Sequence, residues 1–197
     1  MRLAGKSIGF ALCGSHCTLS RVFVEIEKLV AEGAEVIPIL SYAVATTDTK
    51  FGQSSEWKEK LFQITGKVPL ETIVDVEPIG PQKLLDILVV APCTGNTMAK
   101  IANGIIDTPV TMATKAQLRN GRPVVLAIST NDGLGLNAKN LGILLNAKNI
   151  FWVPFGQDNP EHKPNSLDAR LDLLLPTVEA ALQGRQLQPI LVTYHKG

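Results

Sequence analysis

Long apolar runs, paired cysteines, aromatic residues and blocks of like charge are all scarce in this chain of 197 residues. No apolar run reaches the roughly eighteen residues needed to span a bilayer, which argues against a membrane protein. Three cysteines, an odd number in a mid-sized chain, do not make a disulfide framework and fit a reducing cytosol. A net charge of +1 without a basic run argues against nucleic acid as a main partner. The phosphate-loop pattern of nucleoside triphosphatases is absent. Met1-Arg2-Leu3-Ala4-Gly5-Lys6 leads straight into a predicted strand without the layout of a secretory signal, which points to the cytoplasm. The apolar fraction of 45% is ample for one core and somewhat high for a lone monomer, a hint of subunit interfaces.

What is present alternates between strand and helix. Residues 7–13 and 35–40 read as buried strands around a helix carrying Val22, Ile26, Leu29 and Val30, with Ser20 as its cap and Gly33 as its stop. Such a succession implies a right-handed strand–helix–strand unit and a parallel sheet. Pro38 fits where a neighbouring strand does not need its N–H. Residues 47–82 are the least regular and read as one arm, lid or insertion on a single domain spanning 1–197. Ser55 is placed there as a helix cap, and residues 70–76 as a short strand. Residues 123–128 and 150–155 read as further strands, 156–166 as a loop, and 187–197 as a C-terminal arm. Leu167, Leu171, Leu174, Leu175, Val178 and Leu182 share one helical face that Pro176 should kink. The fold class is α/β, one doubly wound and mostly parallel sheet with helices on both faces.

The organising stretch is 88–112. Its apolar run is predicted to stop at Pro92, and a helix to begin among Thr94, Gly95, Asn96 and Thr97, with Met98, Ile101, Ala102 and Ile105 on one face. In such sheets ligands sit beyond the carboxyl ends of the strands. The loops expected at that edge are 14–18, 91–97 and 129–135, together with Ser41 and Tyr42. They carry hydroxyls, glycines and carboxamides without a cluster of carboxylates, which suits a phosphate and a polar ring better than a divalent metal. Cys13, His16, Cys17 and Cys93 read as core or loop residues rather than zinc ligands, because no second cysteine pair exists. His16 is either a donor to an anionic ligand or a loop residue, and His162 and His195 lie in polar, solvated segments. Gly133 to Ala138 matches a dinucleotide pattern, but the glycines begin several residues past the strand rather than in its turn.

The run from Ala91 to Asp107, with Pro92, Asn96 and Thr97 in register and Thr94 in place of serine, resembles the Pro-Ala-Ser-Ala-Asn-Thr signature of the flavin-binding cysteine decarboxylase family. That family includes phosphopantothenoylcysteine decarboxylases, lantibiotic peptide decarboxylases and flavin prenyltransferases, and the resemblance covers nearly the whole chain. It implies a Rossmann-like flavoprotein fold, a possible FMN, and trimers or dodecamers. Gly14-Ser15 resembles the family's phosphate loop, and Ser41 with Ala43 its hydroxyl-bearing second turn. The cofactor-binding set so implied is Gly14, Ser15, Ser41, Pro92, Thr94, Asn96, Thr97, Ser129 and Thr130. The catalytic candidates are His16, Asn96 and Asn131.

Details elsewhere (residues 13–18, 51–57, 77–81 and 129–135) are similar to a branch of the family found in spore-forming bacteria. That likeness implies a partner, a separate NAD(P)-binding A subunit, and oxidation of dihydrodipicolinate to dipicolinate in the mother cell. Two alternatives stand beside it: an FMN-dependent decarboxylase of a cysteine-containing substrate, and a non-redox substrate-binding subunit. The decarboxylases carry a catalytic histidine after their second strand, whereas residues 41–82 here contain none. A planar dicarboxylate would instead want N–H groups, hydroxyls and a cation, for which His16 or Lys50 are the expected candidates.

Overall fold

The computed structural model describes residues 1–193, so His195 lies outside the described residues. The chain runs β1 (Ser7–Leu12), a 3-10 turn (His16–Thr18), α1 (Leu19–Ala31), β2 (Glu35–Leu40), α2 (Tyr42–Thr46), α3 (Ser54–Thr65), α4 (Ile73–Val76) and α5 (Ile79–Gln82). It continues β3 (Ile87–Cys93), α6 (Gly95–Ala102), α7 (Pro109–Arg119), β4 (Val124–Thr130) and α8 (Ala138–Leu145). The last elements are β5 (Ile150–Trp152), β6 (Phe155–Asn159), β7 (Lys163–Ala169), a 3-10 turn (Leu171–Leu173) and α9 (Leu174–Leu182).

Five strands pair in parallel in the order β2-β1-β3-β4-β5. Helices α1 and α9 pack on one face, and α7, with α4, α5 and α6 against it, on the other. Because both faces are covered, the central strands are continuously apolar rather than alternating, and all seven residues of β3 are buried. Gly9 in β1 keeps the strand open to a neighbour, since a Cβ there would run into the side chain of Leu85. Pro38 sits on β2, an edge strand, where the missing N–H breaks no central ladder.

The structure differs from the sequence reading at several points. Pro92 does not end its strand: the Ala91–Pro92 peptide is cis, and β3 resumes pairing at Cys93 after a register shift. The helix that follows stops at Ala102, leaving Ile105 beyond it and about half exposed. Helix α1 starts one residue before Ser20, continuing directly from the 3-10 turn. The cap of α3 is Gln53 rather than Ser55, in a reciprocal box with Glu56. Residues 70–76 give a single bridge from Leu70 to Ile39 and then helix α4, whose cap is Thr72. Within 47–82, Trp57 stacks on Phe23 of α1 at 5.6 Å, and Leu61 is fully buried.

The largest departure is at 156–166. These polar residues form most of an antiparallel hairpin, β6–β7, and β7 adds to the end of β4 through Ser129–Asp168 and Thr130–Leu167. The predicted strand 150–155 is therefore two strands, and Leu167 belongs to β7 rather than to a helix. Pro176 lies in the first turn of α9, where its missing N–H has no helical partner to lose, so no kink is needed. The hairpin rests on the 129–135 loop at Gly133, where a Cβ would stand 2.7–3.0 Å from three atoms of the buried Leu167 side chain. That packing accounts for Gly133 without a dinucleotide. No helix among the described residues is long and apolar enough to cross a membrane.

Gly133→Ala is expected to force Leu167 and β7 away from β4 and to destabilise the fold by about 1–3 kcal/mol. A urea titration reads this as a lower midpoint at unchanged slope. An unaltered midpoint would show that the hairpin is not held through this contact.

Candidate functional site

The strand order reverses between β1 and β3, because the chain leaves β1 for one side of the sheet and later places β3 on the other. Open α/β sheets bind ligands outside the carboxyl ends of the strands at such a point. A cavity of about 480 Å³ lies there. Its walls are Gly14, Ser15, Cys17 and Thr18 after β1, Thr94 and Gly95 after β3, and Ser129 to Asp132 at the end of β4. The hairpin adds Asp158, Lys163, Ser166, Leu167 and Asp168, and α1 adds Arg21.

Three hydroxyls from separated segments converge on this wall. Ser15 Oγ lies 3.1 Å from both Thr18 Oγ1 and Ser129 Oγ, and the last two are 3.3 Å apart. Hydroxyls donate and accept with equal ease, so the triangle can turn its protons toward an incoming anion without burying a charge beforehand. Beside it, Thr94 caps α6 by accepting from the Thr97 N–H. Its own hydroxyl donates to Thr97 Oγ1 at 3.2 Å, and Thr97 Oγ1 donates to Cys13 Sγ at 3.3 Å. Those two bonds tie the loop after β3 to the end of β1.

Gly95 explains how the helix start comes so close to β4. A Cβ at this position would stand 2.6 Å from Thr130 Oγ1 and 2.8 Å from both Asn137 Nδ2 and Asp132 Oδ1. These atoms form one network: Thr130 Oγ1 donates to Asp132 Oδ1 at 2.7 Å, and Asn137 Nδ2 donates to Asp132 Oδ2 at 2.8 Å. At the mouth, Arg21 pairs with Asp168 and Lys163 with Asp158, each at 3.0 Å. Both cations are more than half exposed, so these pairs are screened and hold the rim only weakly.

Of the residues expected from sequence, Gly14, Ser15, Thr94, Ser129, Thr130 and Asn131 are brought together on the cavity wall. The others are not on it. Ser41 is buried, with its hydroxyl unpartnered, and its N–H donates to Leu12 O. Ala43 and His16 flank Gly14: a Cβ on that glycine would stand 3.0 Å from Ala43 Cβ and 3.7 Å from His16 Nε2. Pro92 is buried within β3, Asn96 is exposed in the first turn of α6, and Thr97 is buried against Cys13.

Burial lowers the pKa of His16, which lies beside Gly14 rather than on the cavity wall. Lys50 lies over the Phe51 ring at 5.2 Å, away from the cavity. The cations that do line it are Arg21 and Lys163. The expectation of an edge without clustered carboxylates is also corrected, since Asp132, Asp158 and Asp168 share the wall. The sequence reading puts Asp158 in a loop, as the acid following the Gly133 to Ala138 pattern, and Asp168 where a helix is expected, so neither is placed on this wall. Asp132 was legible as a neighbour of Asn131 in a loop already singled out.

The thiols divide by burial. Burial pushes Cys13 up to about 11, against the opposing hydrogen bond from Thr97, and raises Cys93 well above the ordinary thiol value. Cys17 is exposed at the cavity. Among the described residues no group of three or more metal-ligating side chains is assembled. A thiol-reactive disulfide reagent at neutral pH is therefore expected to label one thiol per native chain, and Cys17→Ser to remove that reaction. Rapid labelling of Cys13 or Cys93 in the native protein would contradict the burial described here.

Comparison with known proteins places this geometry in context. Residues 2–162 match the model of the family described as Flavoprotein. The chain is 55% identical over 195 residues, 99% of its length and 98% of the other's, to the B subunit of dipicolinate synthase from Bacillus subtilis (strain 168). It superposes on the crystal structure of the dipicolinate synthase B subunit from Bacillus halodurans with a TM-score of 0.91 at 53% identity, covering 99% of this chain and 100% of that one. Burkholderia xenovorans DmrB in complex with FMN, described as a cubic protein cage for redox transfer, shares the fold alone. Its TM-score is 0.67 at 18% identity, covering 90% of this chain and 96% of that one. With the whole length accounted for in this way, the chain belongs to the Flavoprotein family, and within it to the group of dipicolinate synthase B subunits.

Proposed function

We propose that this chain is the substrate-holding subunit of an oxidoreductase that converts dihydrodipicolinate to dipicolinate together with an NAD(P)-binding A subunit, in the mother cell of a sporulating bacterium. The observation that carries the reading is the convergence of Ser15, Thr18 and Ser129 on one cavity beside the capped start of α6. Hydroxyls and free N–H groups receive carboxylates and phosphates alike. Arg21 and Lys163 at the mouth supply positive charge for a doubly anionic ligand. The reading also draws on the likeness to dipicolinate synthase B subunits. Decarboxylation is less well supported, because residues 41–82 contain no histidine to serve it.

FMN fits the residues present. The hydroxyl triangle supplies donors for a phosphate, and the buried, unpartnered hydroxyl of Ser41, whose N–H bonds Leu12 at the end of β1, is a further donor near that edge. The small residues Gly14 and Gly95 keep backbone close to the cavity. In this proposal Gly14, Ser15 and Ser41 hold the phosphate, Thr94 and Ser129 to Asn131 address the ring or the substrate, and bound flavin supplies two-electron redox chemistry. The chain itself orients the ligand, limits its access to water and neutralises its carboxylates. We further propose that copies of the chain assemble as a homo-oligomer, in keeping with a fold whose relative DmrB is described as a cage.

The test is a titration of the purified chain with FMN and, separately, with pyridine-2,6-dicarboxylate. Both are expected to bind, and Ser15→Asp or Thr94→Asp to weaken binding more than about tenfold through like-charge repulsion, without loss of cooperative unfolding. Binding of the dicarboxylate without FMN would favour the non-redox role, with electron transfer wholly on the A subunit. Binding of neither would remove the cavity from the account.

A further inference from the structure

Asp132 differs from the other two carboxylates of the cavity. Asp158 and Asp168 are each paired with a cation at the mouth, Lys163 and Arg21. Asp132 is held only by neutral donors, the Thr130 hydroxyl and the Asn137 amide. Among the described residues no cation is bonded to it, so both of its oxygens are held by uncharged groups alone.

The network behind Asp132 has a fixed polarity. Its far end is the carbonyl of Ala99 in α6, which can only accept, and it receives Asn103 Nδ2 at 2.7 Å. The same amino group donates to Asn140 Oδ1 at 3.1 Å, so the Asn140 amide must present its own NH2 to Asn137 Oδ1, at 2.8 Å. Asn137 then has only its NH2 to offer Asp132 Oδ2, at 2.8 Å. Asn140, in the middle of this chain, is buried, while Asn103 at its far end is exposed. Three amide side chains on two segments are thus oriented from one backbone carbonyl, and the last of them, Asn137, donates to a carboxylate that faces the cavity. A loop needs no such chain simply to turn, since the Asp132 carbonyl and the Gly135 N–H already close it at 2.9 Å.

We propose that Asp132 is the proton acceptor in the oxidation, with Asn137, Asn140 and Asn103 as residues that position it. This rests on the functional reading given above. Converting a dihydropyridine dicarboxylate to the aromatic dicarboxylate removes two hydrogens. One leaves a ring carbon as hydride, with its electron pair, and reduces a two-electron acceptor, bound flavin or the oxidised nicotinamide held by the NAD(P)-binding partner. The other leaves the adjacent ring carbon as a proton to an Asp132 carboxylate oxygen, and the electrons of that C–H bond become the new ring π bond. Asp132 is half-buried and open to the cavity, so the proton can pass on to solvent.

The experiment uses the chain together with its NAD(P)-binding partner and follows dihydropyridine oxidation across pH. Asp132→Asn is expected to lower kcat by about 10²–10⁴-fold, the usual contribution of a positioned base. Its affinity for pyridine-2,6-dicarboxylate should stay within a few-fold, and the acidic limb of the rate profile should disappear. Asn103→Leu leaves Asp132 in place and lies outside the cavity wall. It should reduce kcat several-fold at unchanged KM, because the Asn140 and Asn137 amides lose the bond that orients them toward Asp132. This second variant carries the test if Asp132→Asn does not unfold cooperatively. The groups that also face the cavity are Arg21 and Cys17 near α1 and Asp158, Lys163 and Asp168 on the hairpin, while α6 and α8 bring no charged side chain to its wall. A limb that persists in Asp132→Asn belongs to one of these and overturns the role of Asp132, as does an Asp132→Asn rate within about threefold of the wild type or an Asn103→Leu rate equal to it. If the wild-type pair itself produces no oxidation, the functional reading fails first and this inference with it.

Discussion

The close approach of α6 to the end of β4 is the constraint on which the site depends. It exists because position 95 carries no side chain: any Cβ would meet Thr130, Asp132 and Asn137 together. With that space open, the capped N-terminus of α6, the hydroxyls of the β1 loop and the polar end of β4 all border one cavity. The parallel sheet supplies the rest. Covered strands fix the ends of β1, β3 and β4 within one ladder, so their loops must emerge side by side. The chemistry of the edge then follows from which residues occupy three short loops.

Much of this was legible in the sequence because the period of apolar residues in a covered parallel sheet leaves few alternatives. The boundaries of β2 are those read from Glu35 to Leu40, and the loops after β1, β3 and β4 were placed at the correct edge. The misses share a cause. The hairpin β6–β7 is polar because half of it faces solvent and the cavity, so Gly156 to Ser166 carried no apolar signal and its pairing with β4 was invisible. The place of Asp158, Lys163 and Asp168 on the cavity wall was missed with it. Pro92 misled in the opposite sense: a proline normally ends a ladder, but the register shift between Val90 and Cys93 lets pairing resume beyond it. Ser41 and His16 illustrate a third limit. Sequence placed them at the right edge, yet whether a side chain faces a cavity or packs beside a glycine depends on tertiary contact.

The site also separates two kinds of polar group. Flexible hydroxyls at Ser15, Thr18 and Ser129 can adapt to an anion of either origin, phosphate or carboxylate. The amide chain from Ala99 to Asp132 is directional and ends on a single carboxylate. A family scaffold with an adaptable anion wall and a locally oriented acid–base group suits changes of chemistry without a change of fold, since function resides in the site rather than in the sheet.

The central claim is that ligand binds at the carboxyl edge between β1, β3 and β4. Hydrogen–deuterium exchange of the chain with and without pyridine-2,6-dicarboxylate tests it most directly. The account predicts slowed exchange confined to residues 14–18, 94–97 and 129–132. Protection centred instead on the apolar groove between α6 and α7, around Ile101, Ile105 and Leu118, would contradict it.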